Sequence, residues 1–375
     1  MQGSMFRRAC AATLLGTSAV LSAGGLTTSE PASAIGDTSR PLVTSQAGAL
    51  SCPTASVCTA VGGPVDSAGA TILRTTNSGS TWKPQSPPSG VLGLSAVSCP
   101  TVQFCLAAGG GSPEFVTATT SDGGATWQEK PGIGVDTWID TVDCLSSTNC
   151  YAEGFGSGWA KGTSGLALLH TSDAGTSWST LVFAAGGNGA SSTTRPDLAC
   201  PTARTCYLAR PIGNESTFDV FRSSDGGKTG KAVLAKVAGV PNTPVGVACW
   251  TAAACMVIGA DRGARVLVTT DGGSQWLSRP LPKEALDGIG VQCPSRRRCV
   301  VISTSHSGLV AVTTTNAGAT WSTAAVAAFW PVVADAFVGL ECPTAGSCQM
   351  LVQTSTPAVY STSNGGGHWT KWPLP

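Results

Sequence analysis

Charged side chains are scarce in this chain. Lys, Arg, Asp and Glu together make up 11% of its 375 residues, and the formal net charge at pH 7 is +1. Proteins that bind nucleic acid or an anionic membrane surface need concentrated positive charge, so the composition argues against both kinds of partner. The small number of Lys and Glu residues, together with 47 Gly and 23 Pro, favours short strands joined by turns over long amphipathic helices.

Sequence motifs for several kinds of chemistry are also missing. The three histidines, His170, His306 and His368, fit no metal-ligand spacing. No nucleophile-elbow sequence occurs, and no phosphate-binding glycine loop is followed by Lys. We therefore expect no metal and no cofactor. No apolar stretch after the N-terminal region is long enough to form a stable membrane span.

The N-terminus has the pattern of an export signal. Arg7 and Arg8 precede a run of apolar and small residues from 9 to 26, and residues 32–34 read Ala-Ser-Ala, which fits a signal-peptidase site. We expect residues 1–34 to be a cleaved signal peptide and residues 35–47 to be a short N-terminal segment of a secreted protein. A membrane anchor is the alternative, but serines and glycines interrupt the apolar run.

Fourteen of the fifteen cysteines form seven pairs with the same spacing. An even number of regularly paired cysteines on an exported chain predicts disulfides, one in each repeat. Zinc sites prefer shorter spacings, and free core cysteines would not keep one spacing seven times. The expected disulfides join Cys52 to Cys58, Cys99 to Cys105, Cys144 to Cys150, Cys200 to Cys206, Cys249 to Cys255, Cys293 to Cys299 and Cys342 to Cys348.

A second element alternates with the cysteine pairs. It is a glycine-containing turn that starts at an Asp or Asn and ends, in six of seven copies, at a Trp. The side chain of Asp or Asn bonds to backbone N–H groups further along such a turn, and Gly supplies positive φ, so we expect a structural role for these residues. The seven turns start at Asn77, Asp122, Asp173, Asp225, Asp271, Asn316 and Asn364.

The repeat predicts the fold. Its period averages about 48 residues, a length typical of propellers and solenoids. An apolar residue lies two before each first cysteine, and the two cysteines flank a five-residue hairpin loop, where opposed residues should lie about 4.5 to 5.5 Å apart at Cα. A third strand leads into the turn, and the Trp opens a fourth. We predict an all-β, seven-bladed propeller of four-stranded antiparallel blades over residues 48–375.

The turns resemble those of the Asp-box, or bacterial neuraminidase repeat, family, in which Ser/Thr-x-Asp-x-Gly-x-x-Trp joins the third and fourth strands of propeller blades. The resemblance covers nearly all of residues 48–375. Residues 72–82, Ile-Leu-Arg-Thr-Thr-Asn-Ser-Gly-Ser-Thr-Trp, are most similar to the photosystem II assembly-factor type. The family includes sialidases, receptors, glucan hydrolases and assembly factors, so the resemblance implies a fold and leaves the function open.

A catalytic sialidase is not expected. The Phe/Tyr-Arg-Ile-Pro segment of that group is missing, its propellers have six blades, and the few tyrosines here, Tyr151, Tyr207 and Tyr360, lie in or beside predicted strands. Another glycoside hydrolase would need two neighbouring carboxyl groups. We expect the best source of such a pair to be the acids around the first hairpin of the third repeat, which are Asp136, Asp140, Asp143 and Glu153.

Binding residues are expected where one repeat departs from the others. The third repeat has an insertion at residues 155–161, and residues 185–195 lengthen the link to the fourth. Tryptophans outside the turns either pack in the core or bind ligands. Two of these tryptophans, Trp250 and Trp372, are not among the candidates. The candidate ligand-binding residues are Trp138, Trp159, Lys161 and Trp330.

The function these patterns favour is a secreted, non-catalytic and monomeric propeller that binds or scaffolds an extracellular protein or glycan. A glycoside hydrolase with an unusual site is the first alternative. An assembly factor for a membrane complex is the second.

Overall fold

The computed structural model describes residues 48–63, 69–109, 115–132, 137–160, 163–181, 197–212, 217–238, 246–260, 265–328, 337–353 and 357–374. These residues form 28 strands in seven four-stranded antiparallel sheets, and each sheet uses four consecutive strands. No helix occurs in this part of the chain, and so none that could cross a membrane.

The strands are numbered in chain order, four to a blade. Blades 1 to 3 contain β1 Ala49–Ser51, β2 Cys58–Gly62, β3 Thr71–Thr75, β4 Lys83–Gln85, β5 Ala96–Ser98, β6 Cys105–Gly109, β7 Val116–Thr120, β8 Gln128–Lys130, β9 Thr137–Cys144, β10 Cys150–Ala160, β11 Thr163–Thr171 and β12 Ser179–Leu181. Blades 4 and 5 contain β13 Asp197–Thr202, β14 Thr205–Ile212, β15 Thr217–Ser223, β16 Lys231–Ala238, β17 Gly246–Thr251, β18 Ala254–Ala260, β19 Arg265–Thr269 and β20 Leu277–Pro280. Blades 6 and 7 contain β21 Gly288–Gln292, β22 Cys299–Ser305, β23 Gly308–Thr314, β24 Ser322–Ala328, β25 Phe337–Glu341, β26 Cys348–Val352, β27 Ala358–Thr362 and β28 Thr370–Pro373.

The seven blades close into a ring. The first strand of each blade contacts the first strand of the next, and β25 contacts β1, so these seven strands surround the axis. The fourth strands lie outermost, where β4, β8 and β28 are largely exposed. The structure is therefore the seven-bladed propeller predicted from the repeat.

The hydrophobic core is divided among the blade interfaces. Seven clusters of buried side chains occur, and each joins two neighbouring blades. The cluster that closes the ring packs Leu50 and Leu73 of blade 1 against Leu351 and Val359 of blade 7. The apolar residue two before each first cysteine is buried in all seven blades, with at most 8% of its surface exposed. Removing apolar area from water at these interfaces stabilises the ring.

Each predicted cysteine pair forms a disulfide across its hairpin loop. The paired Cα atoms lie 4.0 to 4.1 Å apart, which is slightly closer than the spacing predicted for opposed residues. The cysteines lie at the end of the hairpin, next to the loop that joins its two strands. In blade 3, for example, Cys144 is opposite Cys150 in the register.

The hairpin loops of blades 4 and 5 differ from the predicted five-residue loop. Their strands continue past the disulfide, because Thr202 pairs with Thr205 and Thr251 pairs with Ala254. Cys206 is bonded to Cys200 and Cys255 to Cys249 as predicted, but both lie one residue inside the second strand of the blade and do not begin it. A register shift next to each first cysteine accommodates the extra pair of residues.

The Asp/Asn turns, which start at the seven Asp and Asn residues named above, join the third and fourth strands. In every turn, a buried Ser or Thr lies two residues before the Asp or Asn. Its hydroxyl donates to the Asp or Asn side chain and accepts from the backbone N–H of the residue two after that Asp or Asn. In blade 2, Thr120 Oγ1 is 2.8 Å from both Asp122 Oδ1 and Gly124 N. The backbone N–H of the residue directly after each Asp or Asn donates to a carbonyl of the hairpin loop in the same blade, as Gly123 N does to Gln103 O at 2.9 Å. The hairpin loops and the Asp/Asn turns thus form one face of the propeller, called here the hairpin face.

Side chains from one blade also bond to the hairpin loop of the next. Tyr151 donates to Ala203 O at 2.8 Å and Tyr207 to Ala252 O at 2.9 Å. Gln349 donates to Ala55 O at 3.4 Å, which links blade 7 to blade 1. In each case the acceptor is the carbonyl three residues after the first cysteine. These bonds fix the rotation of neighbouring blades.

Two further details differ from the sequence expectations. The insertion in blade 3 does not form an irregular loop; it lengthens β10 and β11, which remain paired as far as Ala160 and Thr163. Their register is regular from Cys150 to Ser157 and shifts between Ser157 and Ala160. The turn tryptophans precede the fourth strands by one residue and do not open them, since Trp82 comes before β4 and Trp127 before β8.

Candidate functional site

One position on the first strands links neighbouring blades in the first three blades. It is the residue directly before the first cysteine, and its side chain reaches the next blade. Ser51 Oγ accepts from Cys99 N and Ser98 Oγ from Cys144 N, each at 3.0 Å. In blade 3 this residue is Asp143, whose Oδ2 accepts from Cys200 N at 2.7 Å. In blade 7 it is Glu341.

A third carboxyl group lies on the first strand of blade 4, two positions earlier in the strand than Asp143 is in blade 3. Asp197 is three residues before the first cysteine of blade 4. Its Oδ2 accepts from Val247 N at 2.8 Å, and its Oδ1 accepts from Leu198 N at 2.9 Å. Asp197 therefore joins blades 4 and 5 as Asp143 joins blades 3 and 4.

The three carboxyl groups influence one another through space. We call Asp143, Asp197 and Glu341 the axial carboxyl cluster. Burial raises the pKa of Asp143 to about 6, against the effect of the Cys200 N–H. Burial, with the charge of Asp143, raises the pKa of Asp197 to about 7 although two N–H groups oppose it. Burial, with the charges of Asp143 and Asp197, raises the pKa of Glu341 to about 8.

All three side chains keep a fraction of their surface accessible although protein surrounds them. All three residues lie on first strands, which surround the axis. The pKa values of all three are raised because bulk water is displaced from them, and nearby like charges raise those of Asp197 and Glu341 further.

Glu153 lies beside this cluster, between blades 3 and 4. It is 0% exposed, and neither of its carboxyl oxygens has a hydrogen-bond partner. Burial raises its pKa well above the ordinary value; Asp140 and Asp197 raise it further, and Arg210 opposes them. A buried carboxyl group without partners is costly, and proteins retain such groups mainly where they serve function.

Arg210 is the cationic group in this region. It is 8% exposed, its Nε lacks a partner, and its guanidinium lies 4.6 Å from the centre of the Phe221 ring. Burial lowers its pKa, while Asp219 and Glu153 act in the opposite direction. One guanidinium does not balance the acids of this region.

A β-bulge shapes the same region. The register of β9 and β10 shifts between Glu153, which is opposite Thr141, and Gly154, which is opposite Ile139, so Asp140 is the extra residue. Bulges redirect side chains and occur often beside functional sites. Here the bulge brings Asp140 close enough to act on Glu153.

The cluster favours a cationic ligand. Within the described residues, no group of three or more His, Cys, Asp or Glu side chains is arranged to hold a metal ion. Carboxyl groups whose charges repel one another suit a protonated amine or a guanidinium, which spreads its charge over several donors. The arrangement also combines carboxyl groups with different pKa values, as general acid and base catalysis requires.

The acids predicted around the first hairpin of blade 3 are partly brought together. Asp143 lies in the axial carboxyl cluster, Glu153 and Asp140 lie next to it, and Asp136 falls outside the described residues. Asp197, Glu341 and Arg210 were not predicted. Aligning the repeats on the cysteines identifies Glu341, because it occupies the same position as Asp143.

The predicted ligand-binding residues stay untested. Lys161, Trp330 and residues 185–195 are outside the described residues, as are the side chains of Trp138 in β9 and Trp159 in β10. Of the other tryptophans, Trp250 packs against the cluster between blades 5 and 6, and Trp372 donates to Ser361 at 2.8 Å.

The comparisons with known proteins show the fold. No protein-family profile and no curated protein matches the sequence. Solved structures match at low identity. An acylaminoacyl peptidase from Pyrococcus horikoshii is 8% identical over 87% of this chain and 52% of its own, with a TM-score of 0.55. YCF48 bound to a D1 peptide is 16% identical over 74% and 80%, with a TM-score of 0.49. A GH74 enzyme from Niastella koreensis is 13% identical over 86% and 64%, with a TM-score of 0.46.

This chain spans about half the length of the peptidase. At 8% identity the match to the peptidase shows a shared fold and nothing about function.

Proposed function

We propose that this chain is a secreted, non-catalytic propeller that binds an extracellular protein by receiving a lysine, an arginine or a terminal amine in the axial channel. The observation that carries the proposal is that Asp143, Asp197 and Glu341, from three different blades, lie on the first strands, which surround the axis, and that the charges of Asp143 and Asp197 raise the pKa of Glu341. Binding of a cation there would relieve the repulsion among these groups.

Export is part of the proposal. Seven disulfides are typical of an oxidising compartment. Removal of residues 1–34 as a signal peptide would deliver the chain there. The hydrogen bonding of the seven turns also supports membership of the Asp-box propellers.

A binding role fits the remaining acids better than catalysis does. The turn acids are held in hydrogen bonds; Asp122, for example, accepts from Thr120, from Thr126 N and from Thr126 Oγ1. Asp143 and Asp197 accept backbone N–H groups of the next blade. Glu153 is shielded from solvent. Acids that are held by hydrogen bonds, or shielded from solvent as Glu153 is, are poorly placed to take part in a reaction.

The test uses dye-labelled hexapeptides of lysine, arginine and glutamine with blocked ends. We expect the lysine and arginine peptides to bind the intact protein and the glutamine peptide not to bind. The Asp143→Asn/Glu341→Gln variant should bind at least tenfold more weakly. The matched control, Glu129→Gln/Glu284→Gln, removes two charges from exposed residues and should stay within twofold.

The pH dependence of peptide binding sharpens the test. Affinity should increase from pH 5 to pH 9 as the axial carboxyl groups ionise, and binding at pH 7 should release protons, because the cation favours the ionised carboxylates. Equal affinity of the Asp143→Asn/Glu341→Gln variant and the intact protein would contradict the proposal.

Glycoside hydrolysis is the second candidate. The pKa of Asp143 is raised to about 6 and that of Glu341 to about 8, so at pH 7 one is mainly ionised and the other mainly protonated. Turnover of any substrate in a fluorogenic glycoside panel, abolished by Glu341→Gln, would favour this function over the binding role.

A further inference from the structure

Two charged residues depart from the repeat where blade 3 packs against blade 4. Glu153 lies three residues after the second cysteine of blade 3, and Arg210 lies four residues after the second cysteine of blade 4. In the other six blades the position of Glu153 is occupied by a buried apolar residue, namely Val61, Ala108, Ala209, Ile258, Ile302 or Leu351. No other blade has a charged residue at the position of Arg210.

Both side chains point into the interface between these two blades. Glu153 is opposite Leu168 in the register of β10 and β11, and Arg210 is two residues after Leu208 on β14. Leu168 and Leu208 belong to the cluster of buried residues that joins blades 3 and 4. Residues that are opposite in register, or two apart on one strand, share a face of the sheet. Glu153 and Arg210 therefore enter this interface from its two sides, and the charge of each affects the pKa of the other in addition to burial.

Arg210 lies between two acids. Asp219 is opposite Arg210 in the register of β14 and β15, and the Arg210 guanidinium lies 4.6 Å from the centre of the ring of Phe221, two residues further along β15. Blade 4 thus holds the guanidinium, while Glu153 faces it from blade 3. Neither carboxyl oxygen of Glu153 and not the Nε of Arg210 has a hydrogen-bond partner among the described residues. This is the arrangement expected of a protonated Glu153, because a buried carboxylate without a partner is far more costly than the neutral acid.

The other charged groups that act on Glu153 are acids. Asp140 at the bulge of β9 and Asp197 on β13 both raise its pKa beyond the effect of burial, while β11 contributes the apolar Leu168. Asp197 belongs to the axial carboxyl cluster, so the charge of that cluster reaches Glu153. A cation bound at the cluster would offset the charge of Asp197 and favour the ionised form of Glu153.

We propose that Glu153 and Arg210 form a pH-dependent ion pair between blades 3 and 4, which the axial carboxyl cluster controls. The inference rests on the proposed function, because the cation of the protein partner is the ligand that exerts the control. While the cluster is empty, Glu153 keeps its proton and Arg210 stays with Asp219 and Phe221. When a lysine, an arginine or a terminal amine binds, Glu153 releases its proton to solvent and its carboxylate accepts from Arg210. By linkage, ionisation of Glu153 increases the affinity of the axial site for the cation.

The coupling is measured first without a ligand, by following the carboxyl carbon of Glu153 with carbon-13 NMR from pH 5 to pH 10. Its resonance is the one missing in Glu153→Gln. Asp197→Asn should lower the titration midpoint of Glu153 by about 1 pH unit, because a nearby like charge is removed. The matched control is Asp173→Asn, which removes an exposed carboxylate from the turn of the same blade. It should leave the midpoint unchanged.

Two further variants test the competition for Arg210. Arg210→Met should raise the midpoint of Glu153, because the ionised form loses the one cation that acts on it among the described residues. Asp219→Asn should lower the midpoint, because Arg210 is then free to pair with Glu153. These opposite shifts decide the matter even if Asp197→Asn does not fold. A midpoint that is unchanged in Asp197→Asn, or in both Arg210→Met and Asp219→Asn, would overturn the inference.

Proton release on binding tests the control by the axial site. Titration calorimetry of the blocked lysine hexapeptide in two buffers of different ionisation enthalpy counts the protons released. At pH 8, Glu153→Gln should release about half a proton fewer per peptide than the intact protein. Glu129→Gln, which changes an exposed residue, should release as many as the intact protein. Equal release by Glu153→Gln and the intact protein would show that Glu153 does not respond to the bound cation.

Failure of this inference is separable from failure of the proposed function. A lysine peptide that does not bind, with a Glu153 midpoint that still falls in Asp197→Asn, would remove the proposed function and retain the coupling of Glu153 to the cluster. Peptide binding that depends on Asp143 and Glu341, with a Glu153 midpoint that ignores Asp197→Asn, would retain the proposed function and remove the controlled ion pair.

Discussion

At the scale of single residues, a buried hydroxyl group supports each Asp/Asn turn. Thr120 is 2% exposed, and its hydroxyl donates to Asp122 and accepts from Gly124 N. The turn therefore depends on hydrogen bonds among the Thr120 hydroxyl, the Asp122 carboxylate and the Gly124 N–H. Of the two side chains, that of Thr120 is the one shielded from water.

Replacing Thr120 with Val should destabilise the protein by about 2 kcal/mol, because the buried Gly124 N–H loses its acceptor. The control is Thr126→Val, which removes an exposed hydroxyl that donates to the same Asp122. That change should cost less than about 0.5 kcal/mol. Chemical denaturation of the two variants measures the difference, and equal losses would show that burial of the hydroxyl is unimportant.

Residue types in the sequence were sufficient to predict the turns but not the axial site. Asp or Asn with Gly predicts self-bonded turns from local chemistry alone. Asp143, Asp197 and Glu341 come together only because seven blades close into a ring, and no local rule places blade 7 near blades 3 and 4 across an axis. Aligning the repeats on their cysteines puts Glu341 at the same position as Asp143. Only the closed ring shows that this shared position brings the two residues to the axis.

At the scale of elements, the disulfide-bridged hairpin is the repeating unit. A crosslink that closes a seven-residue loop contributes about 2 kcal/mol in the chain-entropy model. The hairpin loop also accepts bonds from its own turn and from the preceding blade, as Ala203 O does from Tyr151. Each disulfide thus stabilises a loop on which two other elements depend.

Removing the disulfide of blade 7 with Cys342→Ala/Cys348→Ala should lower the free energy of unfolding by about 2 to 3 kcal/mol, which combines the crosslink with the loss of small buried side chains. Thermal unfolding with and without reductant measures this. Reductant should lower the midpoint of the intact protein further, since seven bridges are then lost. An intact protein whose midpoint ignores reductant would contradict a role for the bridges in stability.

The elements were predicted well because the repeat samples each of them seven times. The insertion in blade 3 is the informative failure. A single copy cannot distinguish a longer loop from a longer hairpin, and the pairing of β10 with β11 decides it. Unique segments lack the repetition that made the remaining strands predictable.

At the scale of the whole molecule, the described strands close the ring without any exchange between blades 1 and 7. Blade 1 uses β1 to β4 and blade 7 uses β25 to β28, so closure depends on packing and on the bond from Gln349 to Ala55. The axial carboxyl cluster opposes that closure when it is ionised. Asp143, Asp197 and Glu341 belong to blades that only a complete ring brings together.

The pH dependence of stability follows from two opposite sets of acids. The axial carboxyl groups have raised pKa values in the folded protein, so it binds protons more tightly than the unfolded chain does, and stability falls as pH rises from about 4 through about 8. The turn acids have lowered pKa values, as Asp173 does at about 2, so their contribution is lost below about pH 4. We expect stability to be greatest near pH 4 to 5.

The axial carboxyl cluster is tested most directly by the free energy of unfolding from pH 5 to pH 9 for the intact protein, Asp143→Asn, Glu341→Gln and the double variant. The intact protein should lose stability as pH rises. Each single variant should gain on the order of 2 kcal/mol over it at pH 9 and little at pH 5. The double variant should gain less than the sum, because both changes remove the same repulsion. A flat pH profile for the intact protein, or strictly additive gains at pH 9, would contradict the convergence of these carboxyl groups on the axis.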